Sequence, residues 1–405
     1  DTLCAGGIMY GQRNIPQILA FCKDIREVAR PGAWLLNYAN PNAMNTWAAL
    51  EYGKVNTLGL CHGVEGGQRQ IAKVLKLHVE ELDIICAGIN HQTWYISVKH
   101  KGRELTGKLL AAFEKHPQYS RTEKIRIDML RRFGYYTTES NGHVSEYVPW
   151  YRKRPREIRR WIDMSAWIHG ETGGYLRLLS ENRNWFRTDF PEMLKQPPWP
   201  ITPENRSHEH AGYIIESLET GRVYRGHFNV RNRGVISNLP DDCVVEVPGY
   251  VDGNGVSIPH VGDLPLACAA TLSASVNVQR LAVEAAVHGD VLLLKQAMLH
   301  DPLTAAVCNP EEIWQMTDEM LVTQAQWLPQ YRREISRARQ RLKSGPRVKT
   351  RAWQGAARRR VRSLAEMRKH AAELREVTLA SDKGSVKRRR AVKLPGKVKR
   401  IAGSS

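Results

Sequence analysis

The sequence predicts an α/β protein in which a parallel sheet is followed by a mixed α+β domain. Three observations predict this fold class. Short apolar runs alternate with helical segments over the first quarter of the chain. Helical patterns are then interspersed with strand-like alternation up to about residue 345. The composition, with 42% hydrophobic and 25% charged residues, is that of a packed globular protein.

The first predicted elements alternate between helix and strand. Pro16 is expected to open a helix that Pro31-Gly32 ends, because apolar positions between them recur at helical spacing. The elements expected next are a buried strand at 34–36, a helix at 42–52, a strand at 55–60, a helix at 65–76 and a strand at 83–88. This βαβ order predicts a parallel sheet.

The pattern changes in the second part of the chain. Helices are expected over most of 99–160, over 273–299 and over 311–343, whereas 235–239 and 243–247 alternate like strands. The stretch 383–405 is poor in apolar residues, so it is predicted to be disordered.

The net charge of +19 is concentrated at one end of the chain. Residues 331–405 contain 25 Lys and Arg against 5 Asp and Glu, which leaves 35 basic and 36 acidic residues in 1–330. Basic runs such as 387–390 can bind phosphate backbones, but Trp353 is the single aromatic residue near them that could stack on a base. We therefore expect a solvated tail and no nucleic-acid partner.

Cysteine usage and apolar runs indicate a reduced protein that does not cross a membrane. The seven cysteines lack paired spacing and are odd in number, as is typical of free thiols in the cytoplasm. Apolar runs such as 34–36 and 291–294 are too short to span a bilayer, and the first residues do not form a secretory signal. The chain also starts without Met, so we expect it to begin within a longer protein.

Polar residues follow each of the three predicted strands, at 37–40, at Cys61-His62 and at Asn90-His91. The carboxyl ends of parallel strands meet at one edge of a sheet, where ligands bind. The thiolate of Cys61 and the imidazole of His91 are both good ligands for a transition metal. Taken alone, the pair has an alternative interpretation as structural residues, since a cysteine or histidine at a strand end more often packs in a core or forms a hydrogen bond.

Three sequence runs carry a resemblance to a known family. In order and spacing, residues 37–46 (NYANPNAMNT), 60–64 (LCHGV) and 88–91 (GINH) resemble the signatures of the family-four glycoside hydrolases, which depend on NAD and manganese. The resemblance extends to about Tyr331 and looks most like that of an α-galactosidase. Gly63 departs from this pattern and resembles some α-glucuronidases, so an α-glucuronidase or α-glucosidase of the same family is the alternative.

The resemblance implies a redox-assisted hydrolysis, an exception to the scheme that uses two carboxylates. NAD oxidises the sugar at carbon 3, a base removes the proton on carbon 2, the aglycone leaves by elimination, water adds back, and the reduced cofactor returns its hydride to carbon 3. A divalent metal, usually manganese, acts as a Lewis acid. A homo-oligomer is also implied, with a small glycoside as substrate.

Site residues are carried over by position. Cys61 and His91 match the metal ligands of the family, and Asn40 and Asn90 match polar residues at the sugar, with Asn40 also at the cofactor. His62 replaces the acidic residue of members that act on phosphorylated sugars, so it resembles an acid that protonates the leaving oxygen.

The base is a further residue implied by the resemblance. Tyr147 is our choice, because the family often uses a tyrosine, and His143 and Glu146 are its rivals. Helix capping and surface polarity are the alternative interpretation of all three positions.

The resemblance also implies a division of the chain. Residues 1–92 are expected to be the remainder of a Rossmann-like NAD-binding domain whose first βαβ unit, with its Gly-rich loop, is missing. Residues 93–345 are expected to form the α+β domain, and 346–405 a basic, partly disordered tail. Two other hypotheses stay open, an inactive truncated remnant and an NAD-dependent dehydrogenase.

Overall fold

The computed structural model describes residues 2–162, 185–198, 202 and 206–348. The chain divides into two compact units, one of residues 1–172 and 201–359 and one of residues 173–200 and 360–405. The disordered segment predicted at 383–405 lies outside the described residues, as does most of the predicted tail.

The described helices and strands follow one another in a mixed order. The helices are α1 (Cys4–Val28), α2 (Asn42–Ala48), α3 (Gly63–Leu75), α4 (Leu109–Lys115), α5 (Tyr119–Thr122), α6 (Lys124–Phe133), α7 (Asn141–Tyr147), α8 (Pro155–Trp161), α9 (Trp185–Leu194), α10 (His210–Thr220), α11 (Leu266–His288), α12 (Val291–His300), α13 (Pro302–Val307), α14 (Pro310–Thr323) and α15 (Arg332–Ser344). The strands are β1 (Trp34–Asn37), β2 (Asn56–Leu60), β3 (Leu82–Ile89), β4 (Gln92–His100), β5 (Arg103–Glu104), β6 (Tyr136–Thr137), β7 (Tyr224–Arg231), β8 (Val244–Asp252) and β9 (Gly255–Ser257). Helix α9 belongs to the second unit, and the sheet belongs to the first.

The sheet of the first unit is mixed, with strand order β1-β2-β7-β8-β3-β4-β5. Strands β1 and β2 are parallel, as predicted. The prediction that the third strand extends this parallel pair is wrong, because the antiparallel hairpin β7–β8 lies between β2 and β3. The predicted α/β class is confirmed, and the parallel part of the described sheet is limited to its first two strands.

Most local elements lie where the sequence predicts them. The helix at 42–52 and the strand at 55–60 correspond to α2, which continues as the π-helical turn Ala49–Gly53, and to β2. The helix at 65–76 and the strand at 83–88 correspond to α3 and β3. The region 99–160 contains five of the helices but also the short strands β5 and β6, and β7 was not predicted.

Helix α1 passes through Pro16, so the prediction that it begins there is wrong. Proline has no backbone N–H to bond the carbonyl four residues earlier, here that of Gln12. The side chain of Gln330 donates to this carbonyl at 2.7 Å instead. The hydroxyl of Tyr331 also donates to the Gln12 side chain at 2.6 Å. A contact from a distant part of the sequence thus supplies the donor that Pro16 lacks.

The strand predicted at 235–239 is also wrong, whereas that at 243–247 is confirmed as the start of β8. The side-chain amide of Asn232 donates to the carbonyls of Ile236 and Leu239 at 2.9 and 3.0 Å. Because these carbonyls bond within the loop, the segment closes on itself instead of extending the sheet.

Helix α11 is the central helix of the core. It is long and apolar enough to cross a membrane by those two criteria alone, but half of its apolar window is buried inside the protein. Val276, Ala282 and Ala286 belong to the same buried cluster as Ile8 and Ile15 of α1. The predicted helix at 273–299 is divided between α11 and α12, since Gly289 ends α11 with a φ of 65°.

Candidate functional site

A single row of paired residues crosses the sheet at the candidate site. Gly59 of β2 pairs with Asn229 of β7, Asn229 pairs with Glu246 of β8, and Glu246 pairs with Gly88 of β3. The loops that follow β2 and β3 begin one or two residues beyond this row. The β7–β8 hairpin therefore lies between the two strands whose following loops carry the predicted metal ligands.

The structure brings together the predicted ligands Cys61 and His91. The Cys61 side chain lies close enough to His91 to act on the pKa of its imidazole, and His91 is 7% exposed. Its Nε2 atom lies 3.8 Å from Oε1 of Glu139. Burial lowers the pKa of His91, but the charges of Glu139 and Cys61 outweigh it and raise the pKa to about 9. The surroundings of His91 thus favour a positive charge.

The donor set fits a divalent metal held by few protein ligands. A thiol, an imidazole and a carboxylate surround one region, and they are ligands that transition metals accept. Among the described residues, no group of three or more His, Cys, Asp and Glu side chains has the spacing of a complete metal site. Two protein ligands would leave coordination positions for the oxygens of a substrate.

Gly63, the second residue after Cys61, borders the same region. A Cβ atom at this position would lie 3.5 Å from Oε1 of Glu139 and 3.6 Å from Sγ of Cys61. These are ordinary contact distances, so any side chain at residue 63 would line the site. The departure at Gly63 that the sequence shows therefore occurs beside the proposed metal ligands.

Tyr147 lies directly behind His91. Its hydroxyl oxygen is 3.3 Å from Nδ1 of His91, and the residue is 1% exposed. Burial raises the pKa of the Tyr147 phenol well above its usual range. Tyr147 ends helix α7, whose N-terminus is capped by the side chain of Ser140. The helix thus fixes the phenol against the imidazole.

The rival bases belong to a different network on α7. Nδ1 of His143 lies 3.2 Å from Oε2 of Glu146, and Oε1 of Glu146 lies 3.7 Å from the Arg152 guanidinium. Arg152 donates to Ser145 at 2.7 Å. His143 and Glu146 thus contact each other, and Glu146 also contacts the segment that follows α7.

Asn90 lies two residues beyond Gly88 of the row, and its side chain reaches Glu246. Asn90 is 3% exposed, and its amide donates to Oε2 of Glu246 at 3.5 Å. Oδ1 of Asn90 and Oε1 of Glu246 are buried without a protein partner among the described residues. Burial raises the pKa of Glu246 to about 7. Buried polar atoms of this kind are usually satisfied by water or a ligand.

His62 and Asn40 are more exposed than His91, Asn90 and Tyr147, and solvent also reaches Cys61. The His62 side chain is 70% exposed, and its Nδ1 lies 3.8 Å from Oε1 of Glu209. Asn40 is half-buried, and its carbonyl accepts a hydrogen bond from Asn14 at 2.6 Å. The structure therefore buries His91, Asn90 and Tyr147, whereas Cys61 and Asn40 are half-buried and His62 is exposed.

The other asparagines around Asn40 hold the loop after β1. The Asn42 side chain donates to the carbonyls of Asn37 and Leu60 at 2.9 and 3.1 Å. The Asn45 side chain donates to the carbonyl of Ala39 at 3.1 Å. The two Asn42 bonds connect the ends of the parallel strands β1 and β2, and dinucleotides bind at such strand ends in open sheets.

A second polar group touches the backbone of Cys61. Nε2 of His210 lies 3.0 Å from the carbonyl oxygen of Cys61 and 3.3 Å from Oε2 of Glu65. Oε1 of Glu65 lies 3.7 Å from Nδ1 of His227. Burial opposes ionisation of Glu65, but the two neighbouring imidazoles outweigh it and hold the pKa of Glu65 well below its usual range.

Sequence reasoning did not identify Glu65, Glu139, His210, His227 or Glu246 as parts of the site. Glu246 could have been noticed, because it is a charged residue inside the apolar run of β8. Burying a carboxyl group costs folding free energy, so a residue of this kind usually serves a function. His210 and His227 carry no such signal, because their neighbours at the site lie far away in the sequence.

Comparisons with known proteins agree on one family. The family model described as family 4 glycosyl hydrolase matches residues 1–77, and the model of the family 4 glycosyl hydrolase C-terminal domain matches residues 86–304. An α-galactosidase of Rhizobium meliloti (strain 1021) is 63% identical over 378 residues, which cover 93% of this chain and 77% of that protein.

A second α-galactosidase supports the same family, and a solved structure has a similar fold. An α-galactosidase of Bacillus subtilis (strain 168) is 32% identical over 335 residues, which cover 82% of this chain and 75% of that protein. The fold is similar to that of a 6-phospho-α-glucosidase from gut microorganisms solved in complex with NAD and Mn²⁺. That comparison has a TM-score of 0.62 and 20% identity, and it covers 81% of this chain and 75% of the other.

Proposed function

This chain belongs to the family 4 glycosyl hydrolases, and we propose that it hydrolyses the terminal bond of α-galactosides. The arrangement of Cys61, His91 and Tyr147 is the observation that carries the proposal, because it combines two metal ligands with a phenol in contact with one of them. The similarity to the α-galactosidase of Rhizobium meliloti supports the choice of sugar.

Two bound groups complete this chemistry in the proposal. When bound, NAD supplies a reversible oxidation at carbon 3 of the sugar, and Mn²⁺ supplies Lewis acidity at the neighbouring oxygens. Cys61 and His91 would hold the metal, and the loop at Asn40 would contact the cofactor. The resemblance to a structure solved with NAD and Mn²⁺ supports both groups.

Tyr147 is proposed to take the proton from carbon 2. With Nε2 of His91 as ligand, the proton of the imidazole lies on Nδ1, which faces the Tyr147 oxygen at 3.3 Å. Donation from Nδ1 stabilises the phenolate form that a base requires. This contact offsets the burial that keeps the phenol protonated.

His62 is proposed to protonate the leaving oxygen, and Asn90 to hold a sugar hydroxyl. His62 follows Cys61 directly and is exposed, so the aglycone would leave toward solvent. Asn90 offers a buried oxygen that no described protein donor reaches, and a hydroxyl group would satisfy it.

The deciding experiment is hydrolysis of a nitrophenyl α-galactoside by the purified, thiol-reduced chain. We expect release of nitrophenol that requires both Mn²⁺ and NAD, without net formation of NADH. The Cys61→Ser variant is expected to lose this activity, whereas Cys268→Ala, which changes another thiol, retains it. Nitrophenyl α-glucoside and α-glucuronide test the sugar. Net reduction of NAD would indicate a dehydrogenase instead, and no turnover of any glycoside would contradict the proposal.

We also propose that the enzyme acts in the cytoplasm as a homo-oligomer. Cys4, Cys22, Cys61, Cys86, Cys243 and Cys268 are free thiols, as a reducing compartment favours. A thiolate ligand at Cys61 would be lost on oxidation. Light scattering at several protein concentrations measures the oligomeric state.

A further inference from the structure

We propose that His210 is a positioning residue for the metal-ligand pair, and that it acts by holding the backbone carbonyl of Cys61. The inference rests on the proposed function, because it assumes that the Cys61 thiolate binds a metal. It assigns a task to a buried histidine that takes no part in the proposed hydrolysis.

His210 is held at both ring nitrogens. It is the first residue of α10 and is 1% exposed. Nε2 lies 3.0 Å from the Cys61 carbonyl oxygen, and Nδ1 lies 2.6 Å from the Tyr224 hydroxyl. A carbonyl oxygen only accepts hydrogen bonds, so Nε2 carries a proton and donates it to Cys61. Tyr224 fixes the ring from the opposite side.

Glu65 and His227 extend this support. Glu65 lies in the first turn of α3, four residues after Cys61, and its carboxylate approaches His210 at 3.3 Å and His227 at 3.7 Å. The loop that carries Cys61 is thereby connected to α3, α10 and β7. Because the histidine that donates to the Cys61 carbonyl is itself in contact with Glu65 of α3, and Glu65 with His227 of β7, this stretch of backbone has little freedom to rotate.

The N-terminus of α10 makes two further contacts with the loops around the site. The backbone N–H of Ala211 donates to the Tyr38 hydroxyl at 3.1 Å. The Glu209 carboxylate lies 3.8 Å from His62. The start of α10 therefore touches the loops that follow both parallel strands, and His210 is its contact with the residue that supplies the thiol.

The consequence for the metal is geometric. The direction of the Cys61 side chain depends on the backbone to which it is attached, and the thiol must face Nε2 of His91 to share a metal with it. Residues that orient metal ligands typically contribute 10- to 100-fold to metal affinity. A side chain at position 210 without a donor would leave the Cys61 carbonyl unsatisfied and free to turn.

Binding of Mn²⁺ to the full chain, without NAD or sugar, tests the proposal. Electron paramagnetic resonance of free Mn²⁺ gives the dissociation constant. We expect His210→Leu to weaken binding about 10- to 100-fold and His210→Gln, whose amide can donate to the Cys61 carbonyl, to restore most of it. The control is His100→Leu, since His100 is half-buried and, like His210, lies beside a glutamate, 3.6 Å from Glu81. It should bind Mn²⁺ like the wild type.

Two outcomes would overturn the role of His210. One is wild-type affinity in His210→Leu, and the other is equal weakening in His210→Gln with both variants folded by thermal unfolding. A wild-type chain that binds no Mn²⁺ would contradict the proposed metal site instead. Alkylation of Cys61, followed by mass spectrometry, then still tests the inference: His210→Leu should speed it, and an unchanged rate would overturn the positioning role.

Discussion

The hydroxyl oxygen of Tyr147 lies 3.3 Å from Nδ1 of His91, on the side of the imidazole ring opposite the nitrogen that faces Glu139. The two ring nitrogens therefore serve different neighbours. Nε2 is available to a metal and Nδ1 to the phenol. A change in charge at the metal would therefore alter the contact with Tyr147 through the imidazole ring of His91.

Replacing Tyr147 by Phe should lower kcat on an α-galactoside by about 10²- to 10⁴-fold, the usual contribution of a general base. KM should change little, because the phenol does not hold the sugar in this mechanism. Exchange of deuterium from solvent into carbon 2 of the sugar should slow in parallel. Tyr331→Phe, which removes another buried tyrosine hydroxyl, is the control. An unchanged kcat in Tyr147→Phe would assign the base to a different residue.

Adjacent glycines in α3 should respond in opposite directions to alanine. A Cβ atom at Gly67 would lie 2.1 Å from the hydroxyl oxygen of the buried Tyr95, so Gly67→Ala should destabilise the protein by about 1–3 kcal/mol. A Cβ atom at Gly66 meets nothing within 4 Å. Gly66→Ala should therefore stabilise the helix by about 0.5–1 kcal/mol. Urea unfolding measures both, and equal shifts would contradict the close approach of Tyr95.

Glu246 should make the protein less stable as the pH rises. Its pKa is about 7 in the folded chain against 4.5 for the free side chain, so the folded state holds more protons between these values. The stabilisation is fully present below pH 4.5 and is lost toward pH 7, by about 3 kcal/mol. Urea midpoints at pH 5 and 7.5 should differ more in the wild type than in Glu246→Gln. Parallel profiles would show that the carboxyl is ionised throughout.

Among the charged residues of helices α12, α14 and α15, we expect the removal of Asp318 to lower the free energy of unfolding most. Its carboxylate lies 2.9 Å from the buried Lys295 ammonium and 2.7 Å from Arg341. Asp318→Ala leaves Lys295 buried without an anion and should cost about 3–5 kcal/mol of unfolding free energy. Glu27→Ala breaks the exposed pair with Lys23 and should cost less than about 1 kcal/mol. Similar losses in both variants would contradict this difference.

Local patterns in the sequence predicted the elements around the site and two of its residues. The periodicity of 42–88 is strong, and Cys61 and His91 each follow a predicted strand. The predicted start of α1 was wrong because the side chain of Gln330 donates to the carbonyl of Gln12, which Pro16 cannot do. A local pattern contains no information about such a partner.

The remaining parts of the site depend on strand pairing between distant segments. Glu246 and His227 enter the site because β7 and β8 lie between β2 and β3. Alternation within β8 predicts a strand but does not specify its neighbours. The parallel order expected for the third strand was wrong for the same reason, since pairing is decided by contacts across more than 150 positions of sequence, such as Gly88 with Glu246.

The hairpin between β2 and β3 also sets a time at which the site can form during synthesis. Cys61 and His91 leave the ribosome early, yet the row of paired residues that connects β2 with β3 is incomplete until Glu246 of β8 has emerged. A nascent chain carries its thiol and imidazole on unjoined strands throughout this interval. Because such non-local pairing is slow, the ability to bind a metal would arise late in folding, as a property of nearly the whole first unit.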